Sequence, residues 1–253
     1  MASRATLALL APAATPGAGA CARAPAHAAV AARRTFLTAL FDSGPQSSVQ
    51  QYRERRVLGY SAAQMCALVS DVDQYSRFVP WCVGSRVLSR HATRAAGAGA
   101  GARAGAPTPA QLAAQPELAG TRLSMRAELS IGFQAFSEAY TSTVTCEHPT
   151  LVRAVASNSS VFKTLVNEWR FQPVPPALRI PGPPGSPPAS GPFSETDLRS
   201  CLVDFSVAFE FNNALYAQAS GLFLDEVSKM MVTAFERRAL EIYGRPSRPS
   251  RKL

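Results

Sequence analysis

The fold is decided by residues 201–243, where CLVDFSVAFEF (201–211) leads through two asparagines into ALYAQASGLFLDEVSKMMVTAFERRALEIY (214–243). In the first part apolar and polar residues alternate, which predicts a strand with one strongly aromatic face. In the second part apolar residues recur at helical spacing, and Gly244 and Pro246 end the helix. The predicted apolar stripe of this helix consists of Ala219, Phe223, Val227, Met230 and Ala234.

Upstream, the sequence predicts an antiparallel sheet that this helix covers. Ser61 is a candidate N-cap for a short helix over 62–69, and Asp71 and Asp73 open a second one. Strands are predicted at 50–58, 83–89, 123–133, 136–146, 151–156 and 161–171. The predicted fold class is α+β: a curved antiparallel sheet of about seven strands wrapped on the long C-terminal helix, because sheet and helix each have an apolar face to cover.

Two Pro- and Gly-rich stretches interrupt this pattern. Residues 92–118 and 173–193 contain too few large apolar side chains to offset the entropy of ordering, so we expect disordered insertions there. The folded domain then spans 42–244, and residues 245–253 form a frayed basic tail.

The basic residues lie mostly at the two ends of the chain. The formal net charge is +9; residues 1–41 carry four Arg and no acid, and residues 244–253 carry three Arg, one Lys and no acid. Subtracting these eight charges leaves +1 for 42–243. Proteins that grip a phosphate backbone cluster cations on the folded body, so we expect no nucleic-acid partner.

The Ala-rich N-terminal segment with spaced Arg residues and no acid is typical of an organellar transit peptide. We therefore expect residues 1–41 to be a transit peptide, and RTF (34–36) resembles a matrix-peptidase cleavage context, which favours a mitochondrial over a chloroplast transit peptide. A secretory signal is the alternative, because residues 7–10 form a small apolar patch, but Pro12 and Pro16 interrupt it. No apolar run approaches the ~18–20 residues that a spanning helix needs, so any membrane contact should be peripheral.

A second informative stretch is DVDQYSRFVPWC (71–82), in which large apolar side chains follow a polar turn. Pro80 fixes its own φ and biases the residue before it away from helix, so the chain should leave a short helix abruptly and present Trp81 at a rim. Packing in the protein's own core and the wall of a ligand pocket are both consistent with this cluster.

The chain resembles the mitochondrial coenzyme Q-binding proteins of the START-like superfamily. The resemblance spans about 50–244 apart from the two insertions. It rests on several ordered motifs, namely YRERR (52–56), GYS (59–61), DVDQYSRFVPWC (71–82), NEWRF (167–171), VDFSVAFEF (203–211), FLDEV (223–227) and AFERRA (234–239). It implies a helix-grip fold that carries ubiquinone in a hydrophobic cavity, without catalysis, on the matrix side of the inner membrane. Ubiquinone or a late precursor would be the bound ligand, and coenzyme Q biosynthetic proteins are candidate partners.

The predicted ligand site combines an entrance with an apolar wall. Aromatic rings and Met side chains suit a flat ring or a flexible prenyl chain, although a fully packed core would show the same periodicity. The predicted ligand-binding residues are Phe78, Val79, Pro80, Trp81, Phe205, Phe209, Phe223, Val227, Met230 and Met231.

The sequence gives little support for catalysis. It has no nucleophile elbow, no phosphate-binding glycine loop and no dinucleotide fingerprint, and none of its three His residues is a persuasive general base. Its five Cys form no Cys-x-x-Cys pair, so neither a metal site nor a catalytic cofactor is expected. We expect Glu168, Arg170 and Asp204 to form ion pairs on the outer face of the sheet. An aromatase or cyclase enzyme and a ribosome-associated binding module remain the alternative functions.

Overall fold

The computed structural model describes residues 49–94, 105–133, 136–179, 198–212 and 214–253, and in 214–228 the backbone only. The predicted transit peptide, residues 1–41, lies outside the described residues. In chain order the elements are β1 (Gln50–Leu58), α1 (Ala62–Ser70), a 3₁₀ helix (Val72–Arg77), β2 (Cys82–Arg94), α2 (Pro109–Ala114), a 3₁₀ turn (Pro116–Leu118), β3 (Thr121–Phe133), β4 (Phe136–Glu147), β5 (Leu151–Asn158), β6 (Phe162–Gln172), a 3₁₀ turn (Pro176–Leu178), β7 (Cys201–Phe211), α3 (Ala214–Tyr243) and β8 (Arg251–Lys252).

The strands form one antiparallel sheet in the order β2-β3-β4-β5-β6-β7-β1-β8. The α+β fold class, with a long C-terminal helix and two short helices after β1, is confirmed. Within the described ranges the sheet has eight strands rather than about seven, because the C-terminal tail adds β8.

The two short helices after β1 differ in how their N-termini are capped. Ser61 caps α1 as predicted: its hydroxyl accepts from the Gln64 amide, and the Gln64 side chain accepts from the Ser61 amide. The prediction for the second helix is wrong in its capping, because the Asp71 side chain makes no capping bond. The Asp73 carboxylate instead accepts from the Val87 amide at 2.6 Å and so ties the 3₁₀ helix to β2.

The first predicted insertion is partly ordered. Thr108 and Gln111 form a capping box at the start of α2, and Leu112 is 0% exposed where it packs into the core beside α1. Disorder was therefore the wrong expectation for 105–118, because one buried Leu and a well-capped turn anchor the segment. The start of the stretch, 92–94, continues β2, and residues 95–104 lie outside the described residues.

The second predicted insertion is also ordered at its start. Val174 is buried against Val57 and Leu202 on the outer face of the sheet, and Leu178 packs against this cluster. Residues 180–197 lie outside the described residues.

The basic tail is not frayed, which corrects the expectation for 245–253. The Ser247 amide donates to the Gly59 carbonyl at 2.9 Å, and the Arg248 guanidinium donates twice to the Leu178 carbonyl at 3.1 Å. Residues 251–252 then pair with β1 as β8. The tail thus pairs with backbone groups at the open edge of β1. A hydrophobic pattern does not reveal this pairing, because it describes side chains only.

The second half of α3 packs on the concave face of the sheet through Phe235. Its ring lies 4.8 Å from Trp169 and 5.3 Å from Tyr75, measured between ring centroids. Val232, Phe235 and Ala239 are buried, whereas Met230 is 42% exposed. The predicted stripe is therefore wrong in this half of the helix: consecutive apolar residues fit two helical faces, and the aromatic cluster selects the face of Phe235.

An ion-pair network holds the same half of α3 to β1. Arg56 lies 2.6 Å from the Glu54 carboxylate and 3.1 Å from that of Glu236 on α3. Burial raises the pKa of Glu54, but hydrogen bonds from Tyr52 and the charge of Arg56 outweigh it, so the pKa is lowered overall. Among the described helices, none has the combination of length and apolarity that crossing a bilayer requires.

Candidate functional site

A cavity of about 140 Å³ lies between the concave face of the sheet and the helices. The sheet contributes residues from several strands, because every second residue of each strand points to the concave face. Among these residues are Leu129, Tyr140, Ser142, Ala154, Asn167, Trp169, Val207 and Phe209. Met231 and Phe235 of α3 form the opposite wall. The described lining is apolar apart from a few hydroxyl, thiol, indole and amide groups.

Residues 79–81, which follow the 3₁₀ helix, contribute to the cavity wall; that they form its entrance stays a prediction. Val79, Pro80 and Trp81 all line the cavity. Trp81 has a φ of 59°, a left-handed conformation that is unusual for a bulky residue, and its carbonyl accepts from the Gly132 amide at 2.8 Å. The chain therefore turns sharply between Pro80 and β2, and the Trp81 side chain lines the cavity at this turn.

The predicted site residues fall into three groups. Val79, Pro80, Trp81, Phe209 and Met231 line the cavity, and their role in ligand binding stays a prediction. Phe223 and Val227 lie on α3, but their side chains are outside the described residues.

Phe78, Phe205 and Met230 do not line the cavity, and their prediction is corrected. Phe78 packs edge-on against Phe235, with centroids 5.0 Å apart. Phe205 is 2% exposed, and its ring centroid lies 4.5 Å from that of Trp169, which lines the cavity. Met230 faces an outer groove, because it is one residue from Met231 and successive helix residues point about 100° apart.

Polar side chains inside the cavity escaped the sequence analysis. Tyr140, Ser142 and Asn167 all point inward from β4 and β6. Asn167 lies within NEWRF (167–171), whose charged members do face outward as predicted: Glu168 pairs with Arg153 and Arg170. The signal was the alternation itself, since Asn167 lies one residue before the outward-facing Glu168 and two before the inward-facing Trp169, which places its side chain on the inner face.

The titratable groups of the described cavity lining are phenols and a thiol. Desolvation raises the pKa values of Tyr75, Tyr140 and Cys82, so all three stay neutral near pH 7. The Tyr75 hydroxyl is already engaged, donating to the Val69 carbonyl. No imidazole or carboxylate lines the described part of the cavity, so its lining holds no ready general base.

The remaining described cysteines are buried beneath the sheet. The thiols of Cys66 and Cys146 lie 3.5 Å apart, and Cys201 is buried as well. The hydrogen bond with Cys146, together with burial, raises the pKa of the Cys66 thiol. The described residues include no group of His, Cys, Asp or Glu that could hold a metal ion.

This chain has a curved antiparallel sheet that wraps around a long C-terminal helix, with an apolar cavity between them. This arrangement defines the helix-grip, START-like class of proteins. The model of the family described as polyketide cyclase/dehydrase and lipid transport matches residues 58–236. The chain therefore belongs to this family.

Individual relatives include proteins with different names. The chain is 34% identical over 201 residues to coenzyme Q-binding protein COQ10 homolog B, mitochondrial, of Xenopus laevis. The aligned residues are 79% of this chain and 62% of the Xenopus protein, so this chain spans less than two thirds of that relative's length. It is 27% identical over 194 residues to the ribosome association toxin RatA of Escherichia coli, covering 77% of this chain and 89% of the toxin. The solution structure of an 18 kDa protein of Caulobacter crescentus is 23% identical, with a TM-score of 0.48, covering 78% of this chain and 99% of the other.

Proposed function

We propose that this protein binds ubiquinone, or a late precursor of it, in the cavity between the sheet and α3, and shelters the ring without chemical conversion. The observation that carries the proposal is an apolar, ring-sized cavity with an aromatic rim. The similarity to a protein named for coenzyme Q binding supports the choice of ligand. The absence of an imidazole or carboxylate from the described lining supports binding over acid–base catalysis.

The volume of the cavity indicates which part of the ligand it holds. An apolar cavity of about 150 Å³ takes up benzene, so about 140 Å³ matches the size of one six-membered ring, and the substituents of a quinone ring require the cavity to widen. Whole small-molecule sites are larger, about 300–1,000 Å³. The ring would therefore be enclosed, and the isoprenoid tail would leave through the mouth at Val79 and Trp81 or widen the gap beside α3.

Ligand entry requires the mouth to open. The segment 79–81 is held by one sharp turn, and Trp81 is in a conformation that costs on the order of 1–2 kcal/mol for a non-glycine residue. A rearrangement that releases this strain would swing the indole away from the rim. Residues 61–82 and the start of α3 are the segments that we propose to move.

A groove beside the mouth supports a peripheral membrane contact. Pro80 is shared by the cavity and this groove. The groove also carries four basic residues, one acidic residue and the exposed Met230; the basic residues are Arg77, Lys229, Arg237 and Arg238. Each cation near an anionic bilayer contributes about 1 kcal/mol, so we propose that the mouth faces the lipid surface from which the quinone is taken.

Vesicle flotation tests the membrane contact. Binding should be stronger to anionic than to neutral vesicles, and the double variant Arg77→Glu, Arg237→Glu should lose that preference. The double reversal of Arg86 on β2 and Arg122 on β3, which are both exposed and away from the groove, changes the net charge equally and is the matched control. Equal flotation of the wild-type protein and the groove variant would contradict the assignment.

We further propose a mitochondrial location on the matrix side of the inner membrane, with residues 1–41 removed after import. There the carrier would support respiratory electron transport and efficient coenzyme Q biosynthesis, with biosynthetic proteins as partners. Import of a fluorescent fusion, with and without 1–41, tests the location.

The experiment that tests ligand identity is extraction. The full chain is expressed in a host that makes ubiquinone and purified without detergent, and the co-purifying lipids are analysed by mass spectrometry. Near-stoichiometric ubiquinone is the expected result. Folded protein without any quinone would contradict the proposal.

The similarity to a ribosome association toxin raises a second candidate, which the charges of the sheet do not favour. The outward Arg and Lys residues are largely paired with acids: Arg55 with Asp204, Arg86 with Glu128, Arg122 with Glu147, and Lys163 with Glu210. A surface that binds ribosomal RNA should present cations that are not neutralised in this way. Sedimentation with ribosomes at moderate salt would detect such binding.

A further inference from the structure

We infer that Asn167 is the residue that recognises the ligand ring, by hydrogen bonding to an oxygen substituent. This inference rests on the proposed function, because it assigns the ring chemistry of the same cavity. It restricts the ligand to rings with a carbonyl or hydroxyl group at the end that reaches the sheet.

The first observation is an unsatisfied polar atom. Asn167 Oδ1 is shut off from solvent and has no hydrogen-bond partner among the described residues. Within the described ranges, six buried side-chain atoms have no hydrogen-bond partner. Asn167 Oδ1 is the one of these six that belongs to a residue of the cavity lining. Buried amide groups are nearly always hydrogen-bonded, so such an atom needs an explanation.

The sheet register explains why the neighbouring strands give Asn167 Oδ1 no hydrogen-bond partner among the described residues. Asn167 pairs with Ala154 on β5 and with Val207 on β7, and the preceding cavity-lining residue of β6 is Leu165. None of these three side chains can donate or accept a hydrogen bond. An aliphatic residue would fill this position more favourably in a purely structural core.

A ring oxygen of the ligand supplies the missing partner. The amide carries two N–H donors and one oxygen acceptor on a single group. In the orientation of the structure, Oδ1 can accept from the hydroxyl of a reduced ring. After a half-turn of the terminal bond, an N–H group takes its place and can donate to a quinone carbonyl. Ser142 and Tyr140 add hydroxyl groups to the same inner face, but Asn167 is the group that we assign to the ring.

The test compares two ligands on two proteins. Calorimetry measures the binding of a short-chain ubiquinone with one isoprene unit and of an alkylbenzene with the same tail but no ring oxygen. In Asn167→Leu we expect the Kd for the quinone to rise about threefold to tenfold, the size expected for one hydrogen bond between uncharged groups, while the Kd for the alkylbenzene stays the same or falls. Val166→Leu, on the opposite face of β6, is the matched control.

Two further readouts separate ring recognition from a structural role. The melting temperature of ligand-free Asn167→Leu should rise, because an unsatisfied amide is removed. The infrared carbonyl band of the bound quinone should be shifted in the wild-type protein and return toward its free position in the variant. If Asn167→Leu does not fold, Asn167→Ala carries the same comparison.

Each outcome has a distinct meaning. Equal quinone affinity in wild type and Asn167→Leu, with binding intact, overturns the role of Asn167 and leaves the proposed function standing. Failure of the wild-type protein to bind either ligand overturns both. Parallel loss of quinone and alkylbenzene binding in the variant would mean that Asn167 shapes the cavity rather than recognising an oxygen.

Discussion

Filling the cavity from the sheet should stabilise the protein and remove its ligand. Ala154 lies on β5 and lines the cavity, so Ala154→Leu places three more carbon atoms in that space. At about 0.8 kcal/mol per buried carbon, the gain is at most about 2.4 kcal/mol. An empty cavity of about 140 Å³ destabilises a protein by about 3 kcal/mol at ~24 cal/mol per Å³. The gain from the added carbon atoms is therefore smaller than the cost of the empty cavity. Strain reduces the gain, and we expect about 1–2 kcal/mol.

Urea denaturation of ligand-free protein measures this gain, and extraction measures the quinone content of each variant. Ala139→Leu is the matched control, because Ala139 is exposed on β4 and the same atoms added there leave the cavity unchanged. The expected result is a raised free energy of unfolding with little bound quinone for Ala154→Leu, and no change in either quantity for Ala139→Leu. A stabilised Ala154→Leu protein that retains its quinone would refute the placement of the ring in this cavity.

Three other predictions concern the mouth, the tail and a buried histidine. Trp81→Gly should be about 1–2 kcal/mol more stable than Trp81→Ala, because glycine relieves the positive φ; comparing their denaturation midpoints checks this. Gly59→Ala should cost about 1–3 kcal/mol and expose the C-terminal tail to proteolysis, since the new Cβ would lie 2.4 Å from the Arg248 carbonyl oxygen. Desolvation lowers the pKa of His148 below its ordinary 6.5. Its contribution to stability is therefore present above pH 6.5 and lost as the pH falls toward the lowered value. Denaturation at pH 7.5 and 5.5 should show a smaller acid-induced loss in His148→Gln than in the wild type.

Regular alternation and capping were readable from the sequence because they depend on neighbouring residues. The alternating residues of 123–133 gave strand β3, and Ser61 gave the start of α1. Pro80 predicts in the same local way that the chain leaves the 3₁₀ helix at Val79, but the positive φ of Trp81 does not follow from it. Such local rules were enough to predict the α+β fold class.

Features that depend on partners distant in sequence were missed. From its sequence the tail resembles a flexible basic segment. Its order depends on the close backbone approach of Arg248 to Gly59 and on pairing with the open edge of β1. Leu112 is a single apolar residue in an Ala-rich stretch, and only its packing beside α1 shows why that stretch is ordered. The exposed position of Met230 is decided by the aromatic contacts of Phe235, which helical periodicity does not reveal.

The cavity and the unsatisfied amide of Asn167 lie in the same row of the sheet, and this links ligand binding to folding. Ala154, Asn167 and Val207 are neighbours across β5, β6 and β7. Among the described residues, this row borders the cavity and includes an amide oxygen without a hydrogen-bond partner. A ring that carries an oxygen supplies packing contacts and a hydrogen bond at once, so the bound state gains interactions that the unfolded chain cannot make. By mass action such a ligand stabilises the fold, by about 2.7 kcal/mol at a free concentration 100 times the Kd. The measured stability of the protein should therefore depend on how much quinone it carries, and the substitutions that stabilise the empty protein should be the ones that impair the carrier.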